Sequence, residues 1–355
     1  MKAWHLREHL WRIQFNLVAG DHDRYERAVP LKLPEVVASP RVVEVDAEGQ
    51  LLDAALCLQP CADELLFHLK GSTKAGQTRH FQLYFDAPDA DLMDPGPMAG
   101  PLSLTRDLDH EGFASIRIDS PGVSWIYHLE GGGFAGMIDS AGADWISYHP
   151  WGGSDGNFRG IPNLVHPESY FHPGRTGCSS EVVASGPLRV VIRSRSNDDA
   201  WLCEWTLEPD CARLTVLKAA HPYWLLYEGT PGGRLDEQGD FMLLADGQRF
   251  AASERWEMDR LPEPGWIAFG AAGSRRALWL MRHVADGDAD SCWPMESNMT
   301  VFGFGRSGLT KSLVRVPAHF SVGLADCNDH GALSNIIHAG SIPPQLRMGR
   351  KEVRG

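Results

Sequence analysis

The sequence predicts an all-β protein, with a small N-terminal antiparallel β-domain followed by a large antiparallel β-sandwich. Three observations carry the prediction. Short runs rich in Val, Ile, Leu, Phe, Tyr and Trp recur from end to end, punctuated by Gly, Pro, Asp and Asn. The clearest of them, "WRIQFNLVA", alternates at period two and puts Trp11, Ile13, Phe15 and Leu17 on one face. No amphipathic helix of about 10 to 15 residues alternates with these runs, which argues against α/β architectures.

In chain order, "WRIQFNLVA", "RVVEVD", "LLFHLK" and "RHFQLYFD" make an N-terminal β-domain over residues 1–90. The acidic, Pro- and Gly-rich stretch at 87–101 then reads as a linker. The large sandwich spans 101–345. Its strands are "FASIRID", "VSWIYHLE", "GFAGMID", "LRVVIRS", "AWLCEWTLE", "ARLTVLKA", "YWLLYEG", "FMLLAD", "GWIAFG", "ALWLMRH", "MTVFGFG" and "HFSVGLA". One helix is expected, at "DHGALSNIIHAG". No repeat of about 40 to 50 residues is visible, which disfavours a propeller.

The 355 residues suffice for one large or two ordinary domains, and 43% hydrophobic with 22% charged residues excludes a disordered chain. A net charge of −13 without clustered Lys and Arg excludes nucleic acid as an expected partner. No run approaches the roughly 18 apolar residues of a membrane span, so no membrane partner is expected. The start, "MKAWHLREHLWRIQF", lacks the apolar run of a signal peptide. The expected location is cytoplasmic, or exported behind a leader outside this sequence. Seven scattered cysteines form neither a disulfide framework nor a double CxxC pattern, so buried free thiols in a reducing compartment are expected. A homo-oligomer is compatible with the chain.

One stretch has neither helical nor strand periodicity: "YHPWGGSDGNFRGIPNLVHPESYFHPG", residues 148–174. Unstructured connections of this length are functional or disordered, and Trp145, Tyr148, Trp151, Phe158, Tyr170 and Phe171 give this one apolar area to pack with. Its side chains divide by chemistry. Arg159 offers a planar fork to a carboxylate or to sugar hydroxyls. Asn157 and Asn163 both donate and accept, as polyol recognition requires. His149, His166 and His172 exchange protons near neutrality or ligate a metal, and Tyr170 serves as an acid or base if a cation lowers its pKa. Each histidine taken alone reads as an ordinary hydrogen-bonded residue; three of them with Arg159, Glu168 and Tyr170 in one loop read as a site.

A second cluster is "HPYWLLYEGTPGG". Alternation puts Tyr223, Leu225 and Tyr227 on one face and Trp224, Leu226 and Glu228 on the other. Glu228 at the strand end is a candidate acid or base, against the plainer reading of a solvated turn residue. Trp224 and Tyr227 read either as core or as platforms for a sugar ring. His221 joins the catalytic candidates, and a divalent metal ion, if one is bound, goes first to His166, His172 and His221. The tail holds His319, Asp326, Asp329, His330 and His338 at spacings that match no metal motif. "FGFGRSGLTKS" lacks the end of a phosphate loop and reads as a strand followed by a polar turn.

The run "FNLVAGDHDRYERAVPLKL" with the later "RHFQLYFD", and the positions "NFRGIPNLVHPESYFHP" and "YEG", resemble the galactose mutarotase-like β-sandwich superfamily. The likeness covers most of the chain in architecture and little of it in motif. It implies a supersandwich-like second domain and a carbohydrate-active protein with an oligosaccharide or polysaccharide substrate. The preferred reaction is β-elimination on a uronate-containing glycan. There Arg159 and Asn157 neutralise the carboxylate, His166 or His172 is the base and Tyr170 the acid. Alternatives are hydrolysis by Glu228 with Glu168 or Asp155, and epimerisation or mutarotation by a histidine acid with Glu228 as base. The expected substrate contacts are Trp151, Asn157, Asn163, His149, Trp224 and Tyr227. A fourth reading is a non-catalytic carbohydrate-binding protein, with aromatics stacking on sugars and the histidines merely structural.

Overall fold

Near-continuous antiparallel strands make up the computed structural model, which describes residues 3–33, 37–61, 64–87, 99–258 and 261–355. Most of the expected linker, 88–98, lies outside these residues. The chain is all-β, and no described helix is long and apolar enough to cross a membrane.

The N-terminal strand Trp11–Val18 alternates as its sequence requires and sends Ile13, Phe15 and Leu17 into a core with Phe67, Phe81, Leu83 and Phe85. It lies between Thr78–Asp86 and the last strand, Gln345–Val353, in a five-stranded sheet completed by Ala38–Val45 and Leu51–Asp53. Arg27–Leu31, Leu65–Leu69 and Leu58–Pro60 form the opposing three-stranded sheet. The C-terminal strand has no apolar alternation to reveal it. It is an exposed edge, anchored through Lys351, whose ammonium lies 3.6 Å from the Trp11 ring centre.

The larger sandwich sets a nine-stranded sheet against two four-stranded sheets. One of these runs Gly133–Asp139, Val123–His128, Phe113–Ser120 and Ser103–His110; the other runs Leu225–Gly229, Met299–Phe304, Asp290–Met295 and Trp256–Met258. A single core containing Trp125, Trp145, Trp201, Trp205, Tyr227, Phe269 and Phe302 lies between the layers. Each such side chain contributes roughly 1.5–3 kcal/mol on full burial. The nine-stranded sheet is apolar on its other face too, because the helix His330–Ser341 covers Phe241, Leu243, Trp266 and Trp279 with Leu333 and Ile337. Asp329 caps that helix by accepting from the Ala332 amide at 3.0 Å.

Among strands of five or more residues, those that the sequence did not reveal are Arg27–Leu31, Ser103–His110, Cys178–Ser185, Asp290–Met295 and Gln345–Val353. They are charged, serine-rich or interrupted by Pro30 or Pro294, so their pairing is dictated by neighbours rather than by their own pattern. The two sandwiches keep separate main cores and meet through a small apolar cluster, Leu188 with Ala28, Cys57 and Leu66, flanked by polar ties. Gln59 Oε1 accepts from the Leu188 and Arg189 amides at 2.8 and 2.7 Å, and Arg189 bridges Glu64 and Glu208.

Candidate functional site

Residues 148–174 are ordered because they close a seam. The amide of Gly160 donates to the Glu228 carbonyl at 2.8 Å and the Glu228 amide returns to Gly160 at 3.1 Å. On the next residue, Ile161 exchanges a pair of bonds with Phe134. One short piece of backbone therefore bridges the two four-stranded sheets. A side chain at 160 is impossible, since a Cβ there would lie 2.4 Å from the Pro173 ring. At the far end Gly174 has φ +74° and packs against the Tyr148 hydroxyl.

The strand Leu225–Gly229 divides its faces as alternation demands. Tyr223, Leu225 and Tyr227 enter the main core, while Trp224 and Leu226 pack with Met299 and Val301 on the outer side, under the loop. Glu228 shares that outer face and is 5% exposed. Its Oε2 accepts from Asn163 Nδ2 at 2.8 Å and lies 3.4 Å from His172 Nε2. Its Oε1 has no hydrogen-bond partner among the described residues. Asn163 also accepts, through Oδ1, from the His166 amide at 3.1 Å, so one amide side chain fixes both the carboxylate and the next histidine.

His172 is buried, with Nδ1 2.6 Å from the Pro173 carbonyl and Nε2 3.0 Å from the Phe158 carbonyl. Both ring nitrogens therefore face backbone carbonyls, which fix the plane of the ring. His166 is half-buried, with its ring edge-on to Phe158 at 6.2 Å. Among the described residues its ring nitrogens have no hydrogen-bond partner. Desolvation pulls its pKa below the ordinary value, and the Glu228 charge opposes that pull.

Arg306, passed over in the sequence as part of a polar turn, belongs to this face. Its side chain crosses Gly303, where a Cβ would lie 2.9 Å from its own Cβ. It is 5% exposed, donates to the carbonyls of Gly308 and Val301 at 3.1 and 3.2 Å, and lies 4.3 Å from the Trp293 ring. Burial lowers its pKa, while the charge of Glu228 raises it. The signal available was a strand glycine three residues before an arginine, which leaves a trough in the sheet for a long side chain.

Other candidates lie elsewhere. Arg159 is sealed, donating to the carbonyls of Ser154, Ser147 and Asn298 at 3.2, 3.3 and 3.1 Å; it straps the loop to the 295–299 turn and offers no free fork. Tyr170 packs against Phe171 and Trp201, and burial together with the Glu168 carboxylate pushes its phenol up, the reverse of the lowering an acid–base role needs. His221 stands with that second group, 3.2 Å from Glu168 and edge-on to Trp201. The expected metal set is thereby split, and among the described residues no three His, Cys, Asp or Glu are placed to hold an ion. Tyr227 is core, its hydroxyl donating to the Trp145 carbonyl at 2.7 Å. Trp224 is buried, His149 is exposed beside Glu111, and Asn157 has a buried, unpartnered Oδ1. Trp151 is 78% exposed. Glu168 is paired with His221 at 3.2 Å, and Asp155 is exposed. Of the residues singled out in the sequence, the fold gathers His166, His172, Asn163, Glu228 and Trp224.

No family model matches the chain, and no curated protein does. Two solved structures similar to it are one titled "Crystal Structure Analysis of HI1317" and one of an active YidC insertase with its first transmembrane domain resolved. The first is 12% identical, covers 66% of this chain and 98% of that chain, and has a TM-score of 0.45. The second is 11% identical, covers 68% and 44%, and has a TM-score of 0.37. Likenesses of this size carry no argument about activity.

Proposed function

We propose that this chain is a carbohydrate-active enzyme performing acid–base chemistry on a sugar, in the manner of an epimerase or mutarotase, with His166 as acid and Glu228 as base. The observation that carries the reading is the asymmetry of Glu228. One carboxylate oxygen is fixed by Asn163 and His172, and the other has no partner among the described residues. The imidazole of His166, which feels the Glu228 charge, has neither nitrogen engaged among the same residues. The choice of a sugar as substrate rests on the superfamily resemblance and on the residue types of the loop.

In this scheme Glu228 Oε1 takes the proton of the anomeric hydroxyl while protonated His166 gives its proton to the ring oxygen. The bond from the anomeric carbon to the ring oxygen breaks, and an open-chain aldehyde forms. Rotation about the adjacent carbon–carbon bond and reclosure on the opposite face return both protons. Asn163 and His172 orient the carboxylate, and Arg306 adds positive potential above it. Elimination is less well supported, because Arg159 and Tyr170 make no contact with His166 or Glu228.

The test is anomeric exchange followed by NMR over a panel of freshly dissolved sugars. A sugar whose equilibration the protein accelerates is expected, with a loss of about 10²-fold or more in His166→Ala and Glu228→Gln. Binding without acceleration would make the chain a binding protein and refute the enzymatic reading.

A further inference from the structure

The outer face around Trp224 and Trp293 gathers positive charge in a chain whose net charge is −13. The guanidinium of Arg255 lies 3.7 Å from the Trp293 ring centre and that of Arg306 lies 4.3 Å from it. The ammonium of Lys311 lies 4.8 Å from the Trp224 ring centre, with Arg306 5.9 Å from the same ring. Several other buried or half-buried arginines are matched with carboxylates, Arg12 with Glu352, Arg79 with Glu44, Arg189 with Glu64 and Glu208, Arg282 with Asp286 and Asp290, while Arg24 and Arg159 are buried singly against backbone carbonyls with no second cation sharing an indole. Among the described residues Arg255, Arg306 and Lys311 have no ion pair. Glu228 and Glu257 are the carboxylates whose charges reach Arg306, and neither is paired with it.

Three cations held over two indoles repel one another, and burying Arg306 removes the water that would screen the repulsion. An anion among them relieves that cost. In register Val301 stands opposite both Glu228 and Trp293, on either side of the same strand. The cationic patch and the candidate acid–base pair thus lie at one level of one sheet face.

We infer that the substrate of this site is an anionic sugar, its carboxylate or phosphate held by Arg255, Arg306 and Lys311 while its anomeric end faces Glu228 and His166. The inference rests on the acid–base reading above and narrows its substrate class. Arg255 is exposed and Lys311 half-buried, so both can be replaced without opening the core.

The test is calorimetric titration of the full chain with a hexuronate, a hexose phosphate and a neutral hexose, at low and high salt. One of the two anionic sugars is expected to bind at least about tenfold more tightly than the neutral one, to weaken as salt rises, and to lose that advantage in the double variant Arg255→Ala with Lys311→Ala. Which anion binds identifies the substituent. Unchanged thermal unfolding of the variant keeps the comparison valid, and Arg255→Lys, which preserves charge, restores part of the affinity. A neutral hexose bound and turned over as well as either anionic sugar overturns this inference and leaves the acid–base reading standing. Sugars that neither bind nor turn over overturn both.

Discussion

Acid should loosen the loop through His128, and the size of the effect follows from the burial of its ring. His128 is fully buried between the Phe113 and Tyr148 rings, each 5.0 Å from it. The Gly174 amide donates to its Nδ1 at 3.0 Å, so the ring proton sits on Nε2 and points at His110 Nδ1, 2.9 Å away. Charging the ring puts a second proton against the Gly174 amide. Burial, with His110 and His172 adding repulsion, drops the pKa of His128 from 6.5 to about 3. The unfolded chain therefore binds this proton first as pH falls, and stability declines from 6.5 down towards 3, remaining whole above 6.5. Each pH unit in that window removes about 1.4 kcal/mol, so about 2 kcal/mol is lost by pH 5. Urea unfolding at pH 7 and at about pH 5 measures it against His128→Asn, whose Oδ1 still accepts from Gly174 and does not titrate. The variant is less stable overall because it loses ring contacts, but its decline between the two pH values should be smaller by on the order of 2 kcal/mol. An undiminished decline, or an NMR titration of the His128 ring near its ordinary value, would refute the reasoning.

The remaining expectations concern the site directly. If His166 is the acid, the rate must fall on the alkaline side as its ring deprotonates, and desolvation places that limb below the ordinary 6.5; a limb above neutrality in a kcat/KM profile rules the assignment out. Tyr170→Phe should leave kcat/KM unchanged, since the phenol belongs with Trp201 and Glu168; a large loss would return Tyr170 to the chemistry. Arg159→Ala strands three carbonyls and should cost about 3 kcal/mol or more in urea unfolding. A variant that is fully stable yet inactive would mean that Arg159 meets the substrate after all.

The faces of the Tyr223–Glu228 strand were legible because period-two alternation is intrinsic to a strand with two unlike sides. The all-β class was legible for the same reason, and the one helix expected, at "DHGALSNIIHAG", is found at His330–Ser341. What alternation does not encode is which loop side chains turn inward. Arg159 and Tyr170 carry suitable chemistry, yet the fold uses one to tie carbonyls and the other to cover Trp201. Arg306 went unread for the opposite reason. Its neighbours look like a turn, and its role depends on Gly303 being bare in a strand whose pairing no local pattern reveals.

The irregularity of residues 148–174 has a physical cause that also bears on the chemistry. A segment that pairs by only one residue with each of two sheets needs extended backbone at Gly160 and Ile161 alone, so no period can build up on either side. Those two residues set the position of everything adjacent. Gly160 is bonded to the backbone of Glu228, and Pro173, in contact with Gly160, follows His172. The carboxylate and the histidine that orients it are thus registered through main-chain bonds rather than through long side chains, and Asn163, three residues on, locks the same carboxylate oxygen. A seam between sheets is rigid by construction, and rigidity of the supporting groups is what an acid–base pair requires. The same residues that join the two halves of the layer therefore hold the candidate site in register.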